Sequence, residues 1–377
     1  MTYSGSNYRG AASVPPAGGS GGARVAAAAG GGPTRRGLIG SAIGLVASVA
    51  AAGGGFSVWS TANDANSDLD RAFDLGDLED RPEDTPALNV LILGSDHREG
   101  NAEEDARSDT AMIMHVNEGG TEAYAISIPR DLYVPIPEDP DAAYYPDYTG
   151  TNAKFNAAYA WGGVNTTVKT VEALTGVRID HIVEIDFNGL IEVVDALGGI
   201  DIDVEVPEGQ DTVTSIHEPY REFSEGVNHL NGEEALDYVR QRKQYADGDF
   251  ARMRHQQDLI KAIMDSALTA GVLTDRGKLT AFIESTSDAI KVDTDFNVVG
   301  TAIELMGLRS DDIVFMTTPN LGTGDQGGES VVIYADDPEN PEASNPEAVS
   351  LWEALREDTM AEWVEDNPEA AGQDEGE

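Results

Sequence analysis

From Gly37 to Ala62 the chain carries no charged residue, and Leu38, Ile39, Ile43, Leu45, Val46, Val49, Phe56, Val58 and Trp59 make the run apolar. A helix of that length crosses the ~30 Å of hydrocarbon in a bilayer. Residues 37–62 therefore predict one N-terminal transmembrane helix, which cuts the chain into two unequal parts. Residues 1–36 are rich in Gly, Ala, Ser and Pro with almost no large apolar side chain. They cannot bury enough surface to offset ordering entropy and predict a disordered arm. Arg35 and Arg36 on the flank hold that arm in the cytoplasm by the positive-inside rule. Everything after the run is then extracytoplasmic, in a single-pass protein of the cell membrane.

Thr34-Arg35-Arg36-Gly37-Leu38 also fits a twin-arginine export signal, so a cleaved leader competes with the anchor. The anchor reading is preferred because small-residue cleavage sites arise by chance in so Ala-rich a segment. Charge divides the chain in the same place: residues 1–60 hold four arginines and no acid, and the remaining 317 hold 68 acids and 20 bases, a balance of −48. So acidic a body repels a phosphate backbone, which excludes nucleic-acid binding as the main activity. The absence of cysteine removes disulfides, Cys-zinc sites and thiol nucleophiles.

Residues 63–86, rich in Asp, Glu and Pro, read as an acidic spacer. The folded domain is expected over 87–358, with 359–377 as an acidic tail. Ala87-Leu88-Asn89-Val90-Leu91-Ile92-Leu93-Gly94 is a continuous apolar run ended by Gly, the pattern of a strand buried on both faces. Further strands are predicted at 110–116, 123–128, 182–185, 312–318 and 330–334, and helices at 166–174, 187–197, 232–240, 250–268 and 350–356. Asp186 stands at an N-cap position, Phe187, Leu190, Ile191, Val194 and Leu197 follow helical spacing, and Gly198-Gly199 stops the helix. Strands alternating with amphipathic helices predict an α/β fold, an αβα sandwich with a central mixed sheet.

Against an acidic background the positive residues carry the information. Arg240, Arg242, Lys243, Arg252 and Arg254 place five of the 20 bases within 15 residues. Arg240 and Arg242, two apart at an extended helix exit, aim the same way. After the turn Asp247-Gly248-Asp249, Arg252 and Gln256 share a helix face. Converging guanidinium forks match the oxygens of a multiply charged anion such as a pyrophosphate. The alternative is that these arginines only pair with neighbouring acids. Three predicted strand ends favour a site. One delivers Asp96 and Arg98 to the loop where open α/β sheets bind ligands, Arg107 and Asp109 flank the start of the next, and Arg130-Asp131 follows a third. Alternating acids and arginines suit Mg2+ held by one or two carboxylates and by substrate phosphate oxygens.

Leu93-Gly-Ser-Asp96-x-Arg98, Arg107-Ser-Asp109-Thr, Ile128-Pro-Arg130-Asp131, Lys154-Phe-Asn156-Ala-Ala-Tyr, Asp186-Phe, Asp195-Ala-Leu-Gly-Gly, Leu230-Asn-Gly-Glu-Glu-Ala-Leu, Arg240-Gln-Arg242 and Gly248-Asp249-x-x-Arg252 with Gln256 run in order. This series resembles the LytR-CpsA-Psr (LCP) family of envelope proteins over residues 87–268, with weaker agreement to 358. The resemblance implies an extracytoplasmic αβα domain that binds a polyprenyl pyrophosphate-linked glycan. It also implies transfer of the glycan phosphate onto peptidoglycan, attaching a secondary polymer such as teichoic acid or arabinogalactan. By that resemblance Asp96, Arg107 and Asp109 are catalytic, with Asp96 and Asp109 binding Mg2+ and Asp96 activating the acceptor hydroxyl. Arg107, Arg130, Arg240, Arg242, Arg252 and Gln256, joined by the strand-end Arg98, hold the pyrophosphate. The family usually has Arg before the Gln pair; here His255 precedes Gln256-Gln257, with Arg254 placed to compensate.

Other chemistries find less support. No Gly-x-Ser-x-Gly elbow is present, and six scattered histidines offer no metal-ligand pair on a helix. Gly322-Thr323-Gly324-Asp325-Gln326-Gly327 fits a dinucleotide fingerprint but is followed by strand-like sequence, so it reads as a loop. The acid-rich stretch 139–150 misses calcium-loop spacing and reads as solvated surface. The helix at 187–197 could line a prenyl slot or simply pack in the core. A lipid pyrophosphate hydrolase and a non-catalytic envelope regulator binding the same lipid stand as alternatives to the transferase.

Overall fold

The computed structural model describes residues 70–76, 78–95, 108–145, 148–269, 286, 290–298, 301, 308, 312–337 and 344–370. The predicted arm and membrane helix at 1–62 lie outside these. Among the described residues no helix is long and apolar enough to cross a membrane.

The chain runs through β1 (Asp70–Phe73), β2 (Leu88–Ser95), β3 (Ser108–Val116), β4 (Ala123–Ile128), β5 (Leu132–Ile136), β6 (Thr151–Lys154), α1 (Asn156–Thr175), β7 (His181–Asp186) and α2 (Phe187–Ala196). There follow β8 (Ile200–Val204), β9 (Thr212–Thr214), β10 (Glu222–Ser224), β11 (Gly226–Leu230), α3 (Gly232–Val239) and α4 (Asp249–Thr269). The last elements are β12 (Ile290–Asp293), β13 (Ile313–Thr317), β14 (Thr323–Gln326), β15 (Glu329–Ile333), α5 (Pro346–Glu357) and α6 (Met360–Asp366).

Seven strands form the predicted mixed sheet in the order β1-β12-β7-β2-β3-β4-β13. Strand β2 lies at its centre, parallel to β7 and antiparallel to β3. Because its apolar run does not alternate with polar residues, both of its faces must be covered. Val90, Ile92, Met112 and Met114 pack with Val193 of α2, Tyr238 of α3 and Leu259 of α4. Leu91, Leu93, Ile113 and Ile126 pack with Val168 and Val171 of α1 and Leu351 and Trp352 of α5. Helices therefore cover both faces. A second sheet runs β14-β15-β5-β6, and β8 pairs with β11 and β9 with β10.

The predicted caps position α2 and α3. The Asp186 carboxylate accepts from the Gly189 N–H at 2.7 Å, and the chain leaves α2 through Gly198 and Gly199 at φ 84° and 101°. Asn231 and Glu234 form a reciprocal capping box at the start of α3. Gly232 lies so close to the Ile191 backbone of α2 that a Cβ would overlap it. Val193 and Val194 are fully buried, so α2 contributes core packing there.

Several expectations need correction. The fold begins before Ala87: β1 pairs in parallel with β12, and Arg71 donates to the carbonyls of Asp293, Thr294 and Phe296. Arg81 meets Glu172 at 2.7 Å, both side chains buried. Acidic composition hid this segment because two arginines and the buried Leu75, not a run of apolar residues, fasten it. The fold also continues past 358, where Met360, Trp363 and Val364 of α6 are buried. Asp139 is buried rather than solvated, accepting from Thr166 and from Lys169 at 2.7 Å. The stretch 322–327 contains β14, paired with β15 in a hairpin.

Candidate active site

One edge of the central sheet gathers the motif segments. Ser95 ends β2 beside Asp186 of β7 and Ser108 of β3, and Ile128 of β4 pairs with Ala111 of β3. Asp96, Arg98 and Arg107 belong to the segment joining Ser95 to Ser108 and lie outside the described residues. Asp109 is in β3, but its side chain also lies outside the described residues. The part of the site that can be built atom by atom comes from Pro129-Arg130-Asp131, the exit of α3 and the start of α4.

These three pieces meet at Asp249, the first residue of α4. Arg242 Nη1 donates to its Oδ1 at 2.9 Å, while Arg130 Nε and Arg252 Nη2 both donate to its Oδ2 at 3.0 Å. Burial opposes ionisation of this carboxyl, but the charges of Arg252 and Arg130 and the hydrogen bonds from Arg242 and Arg130 outweigh it and hold the group at about 2. Asp131 stands 3.5 Å from Arg130 Nε and 3.4 Å from Lys154 Nζ. Three guanidinium groups thus converge on Asp249, with Asp131 also beside Arg130.

Beside this cluster lies a narrow cleft, with about 430 Å³ of space between its atoms when the open solvent at its mouth is counted. Its floor is apolar, with Met112 and Ile128 from the sheet, Phe250 and Met253 from α4, and Val332 from β15. Arg130, Asp131, Asp249, Arg252 and Gln256 line it too. Arg252 and Gln256 therefore share a helix face as their spacing predicts. Among the described residues α2 contributes none of the lining, and the apolar lining from a helix comes from α4. Ser127 reaches the cleft and accepts from Gln257 Nε2 at 2.9 Å. Arg240 C-caps α3, half-buried, two residues from Arg242.

Arg254, expected to compensate for His255, does not face the cleft. Arg254 donates to both Glu205 oxygens at 3.1 and 2.9 Å, and to Asp247, and it is not among the residues lining the cleft. His255 is fully buried, its ring 4.6 Å from that of Tyr238 and 4.8 Å from that of Tyr245. Burial pushes its imidazole down to about 4, against the pull of the Glu205 charge. Sequence reasoning missed Asp249 as the centre of the cluster. An acid placed between Arg242 and Arg252, at i,i+3 from the latter, was the available signal. Among the described residues no group of three or more His, Asp or Glu forms a metal site. Asp249 is taken up by guanidinium groups and is not a free metal donor.

A family model described as LytR_cpsA_psr matches residues 55–344. The chain belongs to the LytR_cpsA_psr (LCP) family. It is 30% identical over 228 residues to the polyisoprenyl-teichoic acid–peptidoglycan teichoic acid transferase TagU of Bacillus cereus, an alignment covering 60% of this chain and 68% of that protein. The crystal structure of Bacillus subtilis TagV superposes with a TM-score of 0.54 at 26% identity, covering 74% of this chain and 99% of that one. A Streptococcus agalactiae protein matches in fold with a TM-score of 0.59 at 20% identity, covering 73% of this chain and 88% of that one. Within this LCP protein, His255 is a core residue packed against Tyr238 and Tyr245.

Proposed function

We propose that the chain transfers a glycan phosphate from a polyprenyl pyrophosphate carrier to peptidoglycan, outside a membrane to which residues 37–62 anchor it. The observation that carries this reading is the convergence of Arg130, Arg242 and Arg252 on one carboxylate at the side of an apolar cleft. An amphiphile with a doubly charged head and a hydrocarbon tail matches that pairing of surfaces. The family membership and the activity for which the related TagU is named support the same reading.

In the proposed reaction the arginines, with Arg98, Arg107, Arg240 and Gln256, hold the pyrophosphate and spread its charge. A sugar hydroxyl of peptidoglycan attacks the glycan-linked phosphorus, its proton passes to Asp96, and the bond to the bridging oxygen breaks to release polyprenyl phosphate. Positioning and charge neutralisation supply most of the barrier reduction in such transfers. Mg2+ held by Asp96 and Asp109 would add charge compensation on the phosphate oxygens. Asp249 keeps the arginine forks in place before the substrate arrives.

The test incubates the full chain with Mg2+, a polyprenyl pyrophosphate oligosaccharide and peptidoglycan fragments, followed by mass spectrometry. A phosphodiester-linked conjugate that disappears in Asp96→Ala is expected. Free glycan phosphate without conjugate would favour a hydrolase. Intact lipid that stays bound would favour a non-catalytic regulator.

A further inference from the structure

Between Arg240 and Arg242 stands a glutamine that the proposed chemistry does not use. Gln241 is fully buried at 0% exposure, although a surface turn between two arginines would ordinarily leave such a residue in water. Its Oε1 accepts from the Ile216 backbone N–H at 3.2 Å and from Gln244 Nε2 at 2.7 Å. Its Nε2 donates to the Asp237 backbone carbonyl at 2.6 Å, to Ser215 Oγ at 3.0 Å and to Asp237 Oδ1 at 3.2 Å. One backbone N–H and one backbone C=O fix which end of the amide is oxygen, so only this orientation satisfies both.

We infer that Gln241 is a positioning residue for the substrate arginines. This rests on the pyrophosphate reading of the site. The helix α3 ends at Arg240, and in the turn that follows Gln241 is buried while Arg240 and Arg242 on either side of it are both part-exposed. By holding residue 241 against the Ser215–Ile216 segment, the amide fixes the directions in which Arg240 and Arg242 leave the backbone. Arg242 then reaches Asp249 at 2.9 Å. Ser215 Oγ, which also donates to Asp237 Oδ1 at 2.5 Å, closes the network from the other side. Arginine side chains are long and lose rotamer freedom on binding, so a fixed backbone direction for two of them lowers the ordering cost of gripping a pyrophosphate.

The experiment titrates the full chain in detergent with farnesyl pyrophosphate. Four forms are compared: wild type, Gln241→Met, the pair Arg240→Ala with Arg242→Ala, and all three changes together. Gln241→Met is expected to weaken binding about tenfold in the wild-type background and less than twofold where the arginines are absent, the non-additivity of coupled groups. Equal losses in both backgrounds would overturn the inference, since a general structural role needs no arginines. So would wild-type affinity in a folded Gln241→Met. If that variant does not fold, Ser215→Ala removes one partner of the amide and is expected to weaken binding about threefold with the same dependence on the arginines; unchanged affinity there overturns the inference. Failure of the wild type to bind farnesyl pyrophosphate would instead bring down the functional reading, and this inference with it.

Discussion

Arg252 and Arg254 lie two residues apart on α4 and have opposite surroundings. Arg252 is buried at 6% exposure, lines the cleft and shares Asp249 with Arg130 and Arg242. Arg254 is exposed and pairs with two carboxylates, Glu205 and Asp247. In a body carrying −48, a cation surrounded by sufficient acid is ordinary surface. A cation can meet an anionic ligand where it lines a cleft beside other cations. Arg252 joins two other guanidinium groups at Asp249 in the cleft wall, while Arg254 is bound by two exposed carboxylates outside it, a distinction drawn within a single turn.

The largest effect is expected from Arg252→Ala. It removes a charge-assisted donor from the cleft and should cost lipid pyrophosphate affinity about 1.5–3 kcal/mol, the size of a hydrogen bond to a charged group. Titration with farnesyl pyrophosphate checks it, and unchanged affinity would move the anion site away from α4. Asp249→Asn comes next and acts from the other side of the same pairings. The Asp249 carboxyl is held below its ordinary value, at about 2. Its ionisation therefore contributes stability that is present above about pH 4 and lost as pH falls through 2. The variant should be about 1–2 kcal/mol less stable at neutral pH, should lose that acid dependence, and should be partly restored by millimolar inorganic pyrophosphate. Denaturant melts at pH 7 and pH 3 with and without pyrophosphate test this. A variant as stable as wild type and indifferent to pyrophosphate would mean the three guanidinium groups do not depend on Asp249.

Much of this contrast was legible in the sequence, though not all of it. Buried runs and caps wrote the fold plainly: the unbroken apolar stretch through Leu91, the Asp186 cap and the Gly198-Gly199 stop each have one physical reading. Short strands with mixed polarity did not. β1 is Asp-Arg-Ala-Phe, and it joins the sheet through the carbonyls that Arg71 reaches, which no periodicity encodes. In the site, charge clustering and the i,i+4 spacing of Arg252 and Gln256 located the cleft face. Which acid answers which arginine depends on tertiary approach. Glu205 lies 49 positions from Arg254 and Arg130 lies 119 from Asp249, so neither pairing is local enough to read.

The buried groups His255 and Asp258 of α4 make a smaller, pH-dependent prediction. Burial holds His255 down at about 4, so protons bind the unfolded chain first and stability falls as pH drops from 6.5 towards 4. Burial also pushes Asp258, one turn along, up to about 6, helped by Glu205 and Asp203 and opposed by Lys261. That group works in the opposite sense: its neutral form is favoured by folding, and stability is lost as pH rises through 6. The two partly cancel. Between pH 6.5 and 5 the wild type should therefore change by less than about 0.5 kcal/mol, a small net loss, whereas His255→Phe, which leaves Asp258 acting alone, should gain about 1 kcal/mol over the same window. Melts across that window with the slope unaltered would remove His255 from the account.

The smallest effect belongs to Arg254→Ala, and its smallness is the point of the comparison. Glu205 and Asp247 raise the already high pKa of Arg254 further by their hydrogen bonds and charges, against the effect of burial, yet all three side chains are more than 40% exposed, at 44%, 41% and 41%. Solvent screening at that exposure reduces such pairs to roughly 0–1 kcal/mol. The variant should therefore shift stability by about 0.5 kcal/mol or less and leave farnesyl pyrophosphate affinity within about twofold of wild type. A tenfold loss of affinity would mean that Arg254 exchanges its carboxylates for substrate phosphate when the lipid arrives. The contrast between the two faces of α4 would then be a property of the empty site alone, and Arg254 would take the place on the substrate that the LCP pattern gives to the residue before the glutamine pair.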